Sequence, residues 1–399
     1  MTLLIDPPNS PGHGRMWSHL ASDASFEELH AFARTLGIPP RGFDRDHYDI
    51  PADRYDDVVA AGAVPVTSRE LIGRLTEAGL RRRKGDVLRP RPAGRPLVRA
   101  PRLSPGSTVA VVSPAGPVPE DRLDRGLAVL RSWGFEIREL PHVRGRLGEA
   151  GYLAGTDADR AADLMRAWGD EEVAAVVCAR GGYGTQRLVD LLDWSALAAA
   201  GPKVLVGFSD ITALHQVFAA RLGLSTIHGP VVTSLGAGDD ASRDHLRRTL
   251  MEPESALSLT PEPVPSLFPG RAEGVLVGGN VALLAAELGT PTSVPAFGAV
   301  AVLEDVNEDV YRLDRMLTHL LRAGWFDGVR GIALGQFDGC GGHDAVQALV
   351  EDRLVPLGVP MLWDVPVGHG GTNLAFPLGV PAVLDAGAGT LTLTRPALV

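Results

Sequence analysis

Three short runs constrain this chain more than anything else in it. Thr108–Val112, Val173–Cys178 and Lys203–Gly207 are nearly free of polar side chains, and each runs into a turn: Ser113-Pro114-Ala115-Gly116, Arg180-Gly181-Gly182-Tyr183-Gly184, and Phe208-Ser209-Asp210. A strand with one wet face alternates polar and apolar residues; a continuous apolar run is covered on both faces. Between the runs lie helical patterns, with Leu123, Leu127 and Leu130 on one face before Gly134, a second helix over Asp159–Trp168, a third carrying Leu188, Leu191 and Leu192, and a fourth through Leu214, Val217 and Phe218. Strands alternating with helices predict a parallel sheet between helical layers, whose ligands bind at the C-terminal strand ends. The three turns fall at those ends.

The length of 399 residues suffices for two or three domains. The expected class is α/β in five parts. Residues 1–80 read as a small α/β domain, with a strand at Leu3–Ile5, a helix over Ser25–Leu36 capped by Ser25, and another starting at Thr67 or Ser68. Residues 81–105 read as a basic, Pro-rich linker, 106–235 as the parallel-sheet lobe, and 236–270 as a polar connection. The second, mixed α/β lobe spans 271–399, with strands near Gly274–Val277, Ala299–Leu303 and Gly331–Leu334 and a helix from Asn307 through Leu321.

Charge narrows the partners. Residues 81–102 hold nine Lys or Arg against one Asp within a net charge of -10, so the rest of the chain is acidic. Without interleaved aromatics to stack on bases, the basic stretch reads as a solvated spacer, and no nucleic-acid partner is expected. No apolar run approaches the roughly 18 residues that cross a bilayer, and the first residues lack the pattern of a secretory signal. With only Cys178 and Cys340, no disulfide framework is expected, and the cytoplasm is the expected compartment. His13, His19, Asp44, Asp46, His47 and Asp49 are ligand-type residues without diagnostic spacing, so no metal is expected there. Phosphate-loop and zinc-protease motifs are absent, and Gly182-Tyr183-Gly184 lacks the third glycine of a dinucleotide site, so no cofactor is expected.

Gly207-Phe208-Ser209-Asp210-Ile211 half matches the elbow that presents a nucleophilic serine between strand and helix. Ser209 is either that nucleophile, beside helix-start N–H groups, or a plain helix cap. Glu304 ends the run Ala299–Leu303 and is either presented by a buried strand or one of several surface acids, with Asp305 and Glu308 nearby. His369 sits between glycines after Val365-Pro366-Val367. Serine, acid and histidine at strand ends are the parts of a hydrolytic triad, but spacing alone leaves them apart.

Taken in order, the motifs resemble the LD-carboxypeptidases (muramoyltetrapeptide carboxypeptidases) and the related microcin-immunity peptidases over about 106–396. Val112-Ser113-Pro114-Ala115-Gly116, Arg180 to Gly184, Gly207 to Thr212, Gly278-Gly279-Asn280, Leu303 to Glu308 with Arg312 and Asp314 to Leu317, and Gly368-His369 carry it. The resemblance implies a flavodoxin-like lobe carrying the nucleophile Ser209 and a second lobe carrying Glu304 and the base His369. It implies an oxyanion hole of backbone N–H groups from Asp210, Gly181 and Gly182, with Arg180, Tyr183, Asn280 and Arg312 as substrate-binding candidates. It further implies a murein peptide substrate losing its terminal D-alanine, no metal or cofactor, no membrane partner, and a homodimer. Val281 stands where the family more often has leucine, and the first 105 residues lie outside its usual extent. Trp17 to Leu20, Glu28 to Ala33, Asp46 to Asp49 and Val66 to Leu71 resemble a small bacterial domain of unknown function, implying a fusion. Two rival readings remain: a peptidase of aminoacyl-nucleotide conjugates, although no aromatic-rich loop lies between Ser209 and Glu304, and a non-catalytic binding protein on the same fold.

Overall fold

The computed structural model describes residues 2–12, 14–39, 42–44, 46–78, 80, 94–149 and 151–399, so residues 81–93 of the expected linker lie outside the described residues. The chain divides into two compact units, Met1–Arg89 and Pro90–Val399.

The first unit is a sheet with three helices. Its strands are β1 (Leu3–Ile5), β2 (Ser10–Gly12), β3 (Arg15–Ser22), β4 (Phe43–Asp44), β5 (His47–Pro51) and β6 (Val64–Pro65), and its helices α1 (Phe26–Thr35), α2 (Tyr55–Ala60) and α3 (Ser68–Glu77). They pair in the order β4-β5-β3-β1-β6, with β2 on β3. The strand period of two separates the faces: Leu20, Tyr48 and Ile50 are buried with Leu29 and Ala33 of α1. The expected caps form, Ser25 Oγ accepting from Glu28 N at 3.2 Å and Thr67 Oγ1 from Glu70 N at 3.1 Å, each worth about 1 kcal/mol.

The second unit begins with alternation: β7 (Thr108–Val112), α4 (Glu120–Ser132), β8 (Glu136–Glu139), α5 (Asp157–Gly169), β9 (Val173–Cys178), α6 (Trp194–Ala199), β10 (Val204–Gly207), α7 (Thr212–Val217), β11 (Thr226–His228) and α8 (Val232–Leu235). Next come α9 (Asp240–Met251), β12 (Ser266–Phe268), β13 (Arg271–Asn280), α10 (Val281–Ala286), β14 (Ala299–Val306), α11 (Val310–Arg322), β15 (Gly331–Asp338) and α12 (His343–Leu354). Four short strands close the chain: β16 (Met361–Leu362), β17 (Phe376–Leu378), β18 (Pro381–Asp385) and β19 (Thr390–Leu393).

The first sheet runs β17-β11-β10-β9-β7-β8, parallel except for β17. The second runs β12-β16-β15-β14-β13-β18-β19, with β13 to β16 parallel. The runs that read as continuous strands are buried along nearly their whole length. Every residue of α7 is buried, and its Thr212 Oγ1 accepts from Asn280 N at 3.1 Å while Gln216 Oε1 accepts from Val294 N at 2.8 Å. The helix after the Ser209 turn is thus bonded to the second sheet's side of the unit. No helix among the described residues is long and apolar enough to cross a membrane.

Three local features differ from the sequence reading. The helix expected around Leu188 is a 3-10 helix, Thr185–Leu191, whose N-cap Gly184 has no side chain to offer; its first N–H is taken by Asp210 Oδ2 at 2.8 Å. The stretch read as a polar connection contains α9, capped by Asp239 and buried through Leu246 and Leu250. Finally, β17 leaves the second half of the unit to pair with β11, placing Phe376 opposite His228.

Helix α4 meets α8 at Gly126, where a β-carbon would lie 1.9 Å from the Val232 carbonyl oxygen. Gly126→Ala is therefore expected to cost about 1–3 kcal/mol despite alanine's better helix propensity, read as a lowered thermal midpoint.

Candidate active site

Strand β14 delivers Glu304 into the interior with no exposed surface, which excludes a surface carboxylate. A register irregularity against β15, with Leu303 facing Leu334 but Asp305 facing Phe337, occurs at this point and re-aims the strand end. His369 Nδ1 donates to Glu304 Oε2 at 2.6 Å. The buried ring of His228 faces the other oxygen, with Nε2 3.9 Å from Oε1, too long for a direct hydrogen bond. Burial alone would raise the Glu304 pKa, but the imidazoles of His228 and His369 more than offset it and hold the carboxyl at about 2. Burial depresses His369, and the Glu304 carboxylate overrides this to leave its pKa above the ordinary value. The neighbouring Asp305 is engaged elsewhere, accepting from Asn280 Nδ2, Ala282 N and Val306 N at 2.8–3.0 Å. Its own pKa is pushed up to about 6 by burial and by the Glu304 charge.

Ser209 opens the turn after β10 at φ 65, one of three non-glycine residues with positive φ among the described residues. Such a conformation costs a residue with a side chain of order 1 kcal/mol, and it marks the serine elbow of strand-to-helix turns. The short helix it begins, Ser209–Ile211, has no side-chain cap, so the helix-cap alternative does not describe this serine. Its hydroxyl forms no hydrogen bond among the described residues. Phe208 packs its ring 4.7 Å from that of His369, and both line a cavity of about 350 Å³.

Gly181 backs Ser209, since a β-carbon there would lie 2.9 Å from Ser209 Cβ and 3.1 Å from Oγ. The Gly181 carbonyl accepts from Gly116 N at 3.0 Å, tying two of the three sequence turns together. Buried Arg160 clamps them further, bonding the carbonyls of Pro114 and Gly184. Asp210 receives Thr185 N through its side chain, which anchors the turn.

The substrate-binding candidates have other occupations. Arg180 donates to the Pro117 carbonyl at 2.5 Å, and Asn280 is buried, capping α10 through Leu283 N at 3.2 Å. Exposed Arg312 sits among Glu308, Asp309 and Tyr311, and Tyr183 is an exposed ring 5.8 Å from that of Tyr152. The cavity beside His369 is instead lined by Arg122 and Arg243. Arg243 bonds Leu235 O and Asp240, whereas Arg122 forms no hydrogen bond or ion pair among the described residues. The His369 loop is held by α9, with Asn373 N donating to Ser242 Oγ at 2.8 Å and Thr372 Oγ1 to Asp239. His228 ends the parallel strand β11, the same strand-end position that marks Ser209 in the sequence. Arg122 carries no such signal.

Two family models cover this unit, the LD-carboxypeptidase N-terminal domain over 109–229 and the LD-carboxypeptidase C-terminal domain over 273–384. A putative carboxypeptidase of Streptomyces coelicolor is 56% identical over 306 residues, spanning 76% of this chain and 98% of the relative. The chain belongs to the LD-carboxypeptidase family. It is a serine carboxypeptidase. The murein tetrapeptide carboxypeptidase of Pseudomonas aeruginosa is 38% identical over 288 residues, covering 69% of this chain and 92% of that protein. Among solved structures, the muramoyltetrapeptide carboxypeptidase of Oxalobacter formigenes superposes with a TM-score of 0.61 at 29% identity, covering 72% of this chain and 97% of that one. An MccF-like protein of Bacillus anthracis shares the fold, with a TM-score of 0.67 at 22% identity over 74% of this chain and 98% of that one. Residues 3–78 match a protein family of unknown function, DUF4031, as the fusion reading expects.

In this carboxypeptidase, Gly181→Ala would displace Ser209 without touching either sheet. The expected result is a loss of about 10²-fold in kcat with an unchanged thermal midpoint, measured on any hydrolysed peptide.

Proposed function

We propose that this chain hydrolyses the bond between an L-centre and a terminal D-alanine in murein tetrapeptides, with Ser209 as nucleophile, His369 as base and Glu304 as the acid that orients it. The observation that carries the reading is the 2.6 Å bond from His369 Nδ1 to a fully buried Glu304, on the cavity that Phe208 shares and next in sequence to an uncapped, positive-φ serine. With Nδ1–H given to Glu304, the imidazole carries its lone pair on Nε2 and can take the serine proton as Oγ attacks the carbonyl. The N–H groups of Asp210 and the Gly181-Gly182 turn would hold the oxyanion, one such donor being worth about 3–4 kcal/mol of barrier. His369 then protonates the departing D-alanine amine, and water releases the acyl group by the same route. Arg122 is the better receiver for the substrate's terminal carboxylate, because Arg180 and Arg312 are engaged elsewhere. The named activity of the Pseudomonas and Oxalobacter relatives supports the substrate class. The same reading places the reaction in the cytoplasm, where recycled murein peptides are trimmed and where unpaired Cys178 and Cys340 stay reduced.

Incubation with a UDP-linked muramoyl tetrapeptide tests this by mass spectrometry. Wild-type protein is expected to release D-alanine and Ser209→Ala to release none; release by both would remove Ser209 from the mechanism, and release by neither would favour a nucleotide-conjugate substrate. A second test comes from the raised pKa of His369. Only the neutral imidazole acts as base, so kcat/KM falls as pH drops through a value above histidine's usual 6.5. Removing the carboxylate that raises it, by Glu304→Gln, is expected to move this limb to lower pH and to reduce kcat by roughly 10³–10⁴.

A further inference from the structure

We propose that the N-terminal unit binds one divalent transition-metal ion, with zinc as the reference, through His19, His47 and Asp49. The proposal concerns a different unit from the carboxypeptidase site and does not depend on that reading. The sequence spacing of these residues predicted no metal, and the sheet register is what brings them together. Antiparallel β3 and β5 set His19 directly opposite Asp49, and His47 precedes Asp49 by two residues, so all three share one face. One donor atom from each lies within 4.8 Å of the others. His47 Nε2 and Asp49 Oδ1 are 3.4 Å apart, close to the edge of about 3.3 Å that a tetrahedron around zinc requires.

The surroundings of the two imidazoles point the same way. His19 Nδ1 lies 2.9 Å from Asp6 Oδ2, and Asp6 is buried, accepting also from His19 N at 2.6 Å and Ser68 Oγ at 2.6 Å. His47 Nδ1 lies 2.6 Å from Oδ1 of Asp46, which is also buried. Each ring thus gives its Nδ1–H to a buried carboxylate and carries its lone pair on Nε2, the arrangement that orients a metal-bound histidine and raises its basicity. Two such pairs beside a third carboxylate on one sheet face form a nitrogen and oxygen donor set suited to zinc and its neighbours rather than to calcium or magnesium. Three protein ligands leave a fourth position for water or a small anion.

Calorimetric titration of zinc into the metal-stripped, untagged full-length chain tests the site. One equivalent is expected to bind with a Kd of about 1 µM or tighter, raising the thermal midpoint, and cobalt is expected to give the visible absorption of a four-coordinate site. His47→Gln and Asp49→Asn are each expected to weaken binding at least tenfold, and Asp6→Asn by about 10–100-fold. Asp49 is 44% exposed, so its variant is expected to fold; if His47→Gln melts early without metal, Asp49→Asn decides. Binding by the wild type weaker than about 100 µM, or unchanged affinity in Asp49→Asn, overturns the proposal.

Discussion

A carboxylate with no exposed surface organises the second unit. Ionised in the interior, Glu304 would be strongly destabilising unless partners replace the water it has lost. The partners come from far along the chain. His369 reaches it on a loop tied to α9, and His228 reaches it from the end of β11, stacked at 4.5 Å on Phe376 of the returning strand β17. The antiparallel addition of β17 to an otherwise parallel sheet thus supplies one wall of the carboxylate's surroundings. Meeting the needs of one charge brings together the ends of β11 and β14 and the His369 loop.

The serine side of the site rests on a different constraint. Ser209 is held at positive φ because its neighbours on both sides are fixed. Helix α7 is buried throughout and bonded to Asn280 and Val294. Strand β10, just before the serine, is equally buried. Arg160 and Asp210 direct their side chains to the neighbouring turns, so the loops around the hydroxyl are braced by polar contacts within the unit. A strained serine persists where the surrounding structure over-determines it. Asn280 and Asp305 belong to this bracing too, since together they cap α10 next to Glu304.

The N-terminal unit illustrates a strand period serving two ends. Leu20 of β3 and Tyr48 and Ile50 of β5 pack with α1, while His19, His47 and Asp49 lie on the opposite face of the same two strands. The buried carboxylates Asp6 and Asp46 each take the Nδ1–H of one ring. Spacing along the chain is not diagnostic for these residues, and only strand pairing makes them a cluster.

Much of this protein was written locally. Continuous apolar runs announced β7, β9 and β10 and their parallel sheet, Ser25 and Thr67 announced their helices, and the turns after strands pointed to Ser209, Glu304 and His369, because burial on both faces and capping are decided by a few adjacent residues. What stayed illegible was long-range. Nothing near Glu304 and Asp305 says which of the two meets an imidazole and which holds a helix end, and no spacing announces His228, Arg122 or the β3–β5 register. Those depend on which surfaces the whole chain must bury together, so the sequence by itself determined many of the elements, while only the tertiary structure decided which of their ends meet and supplied those that no local pattern marked, α9 and β17 among them.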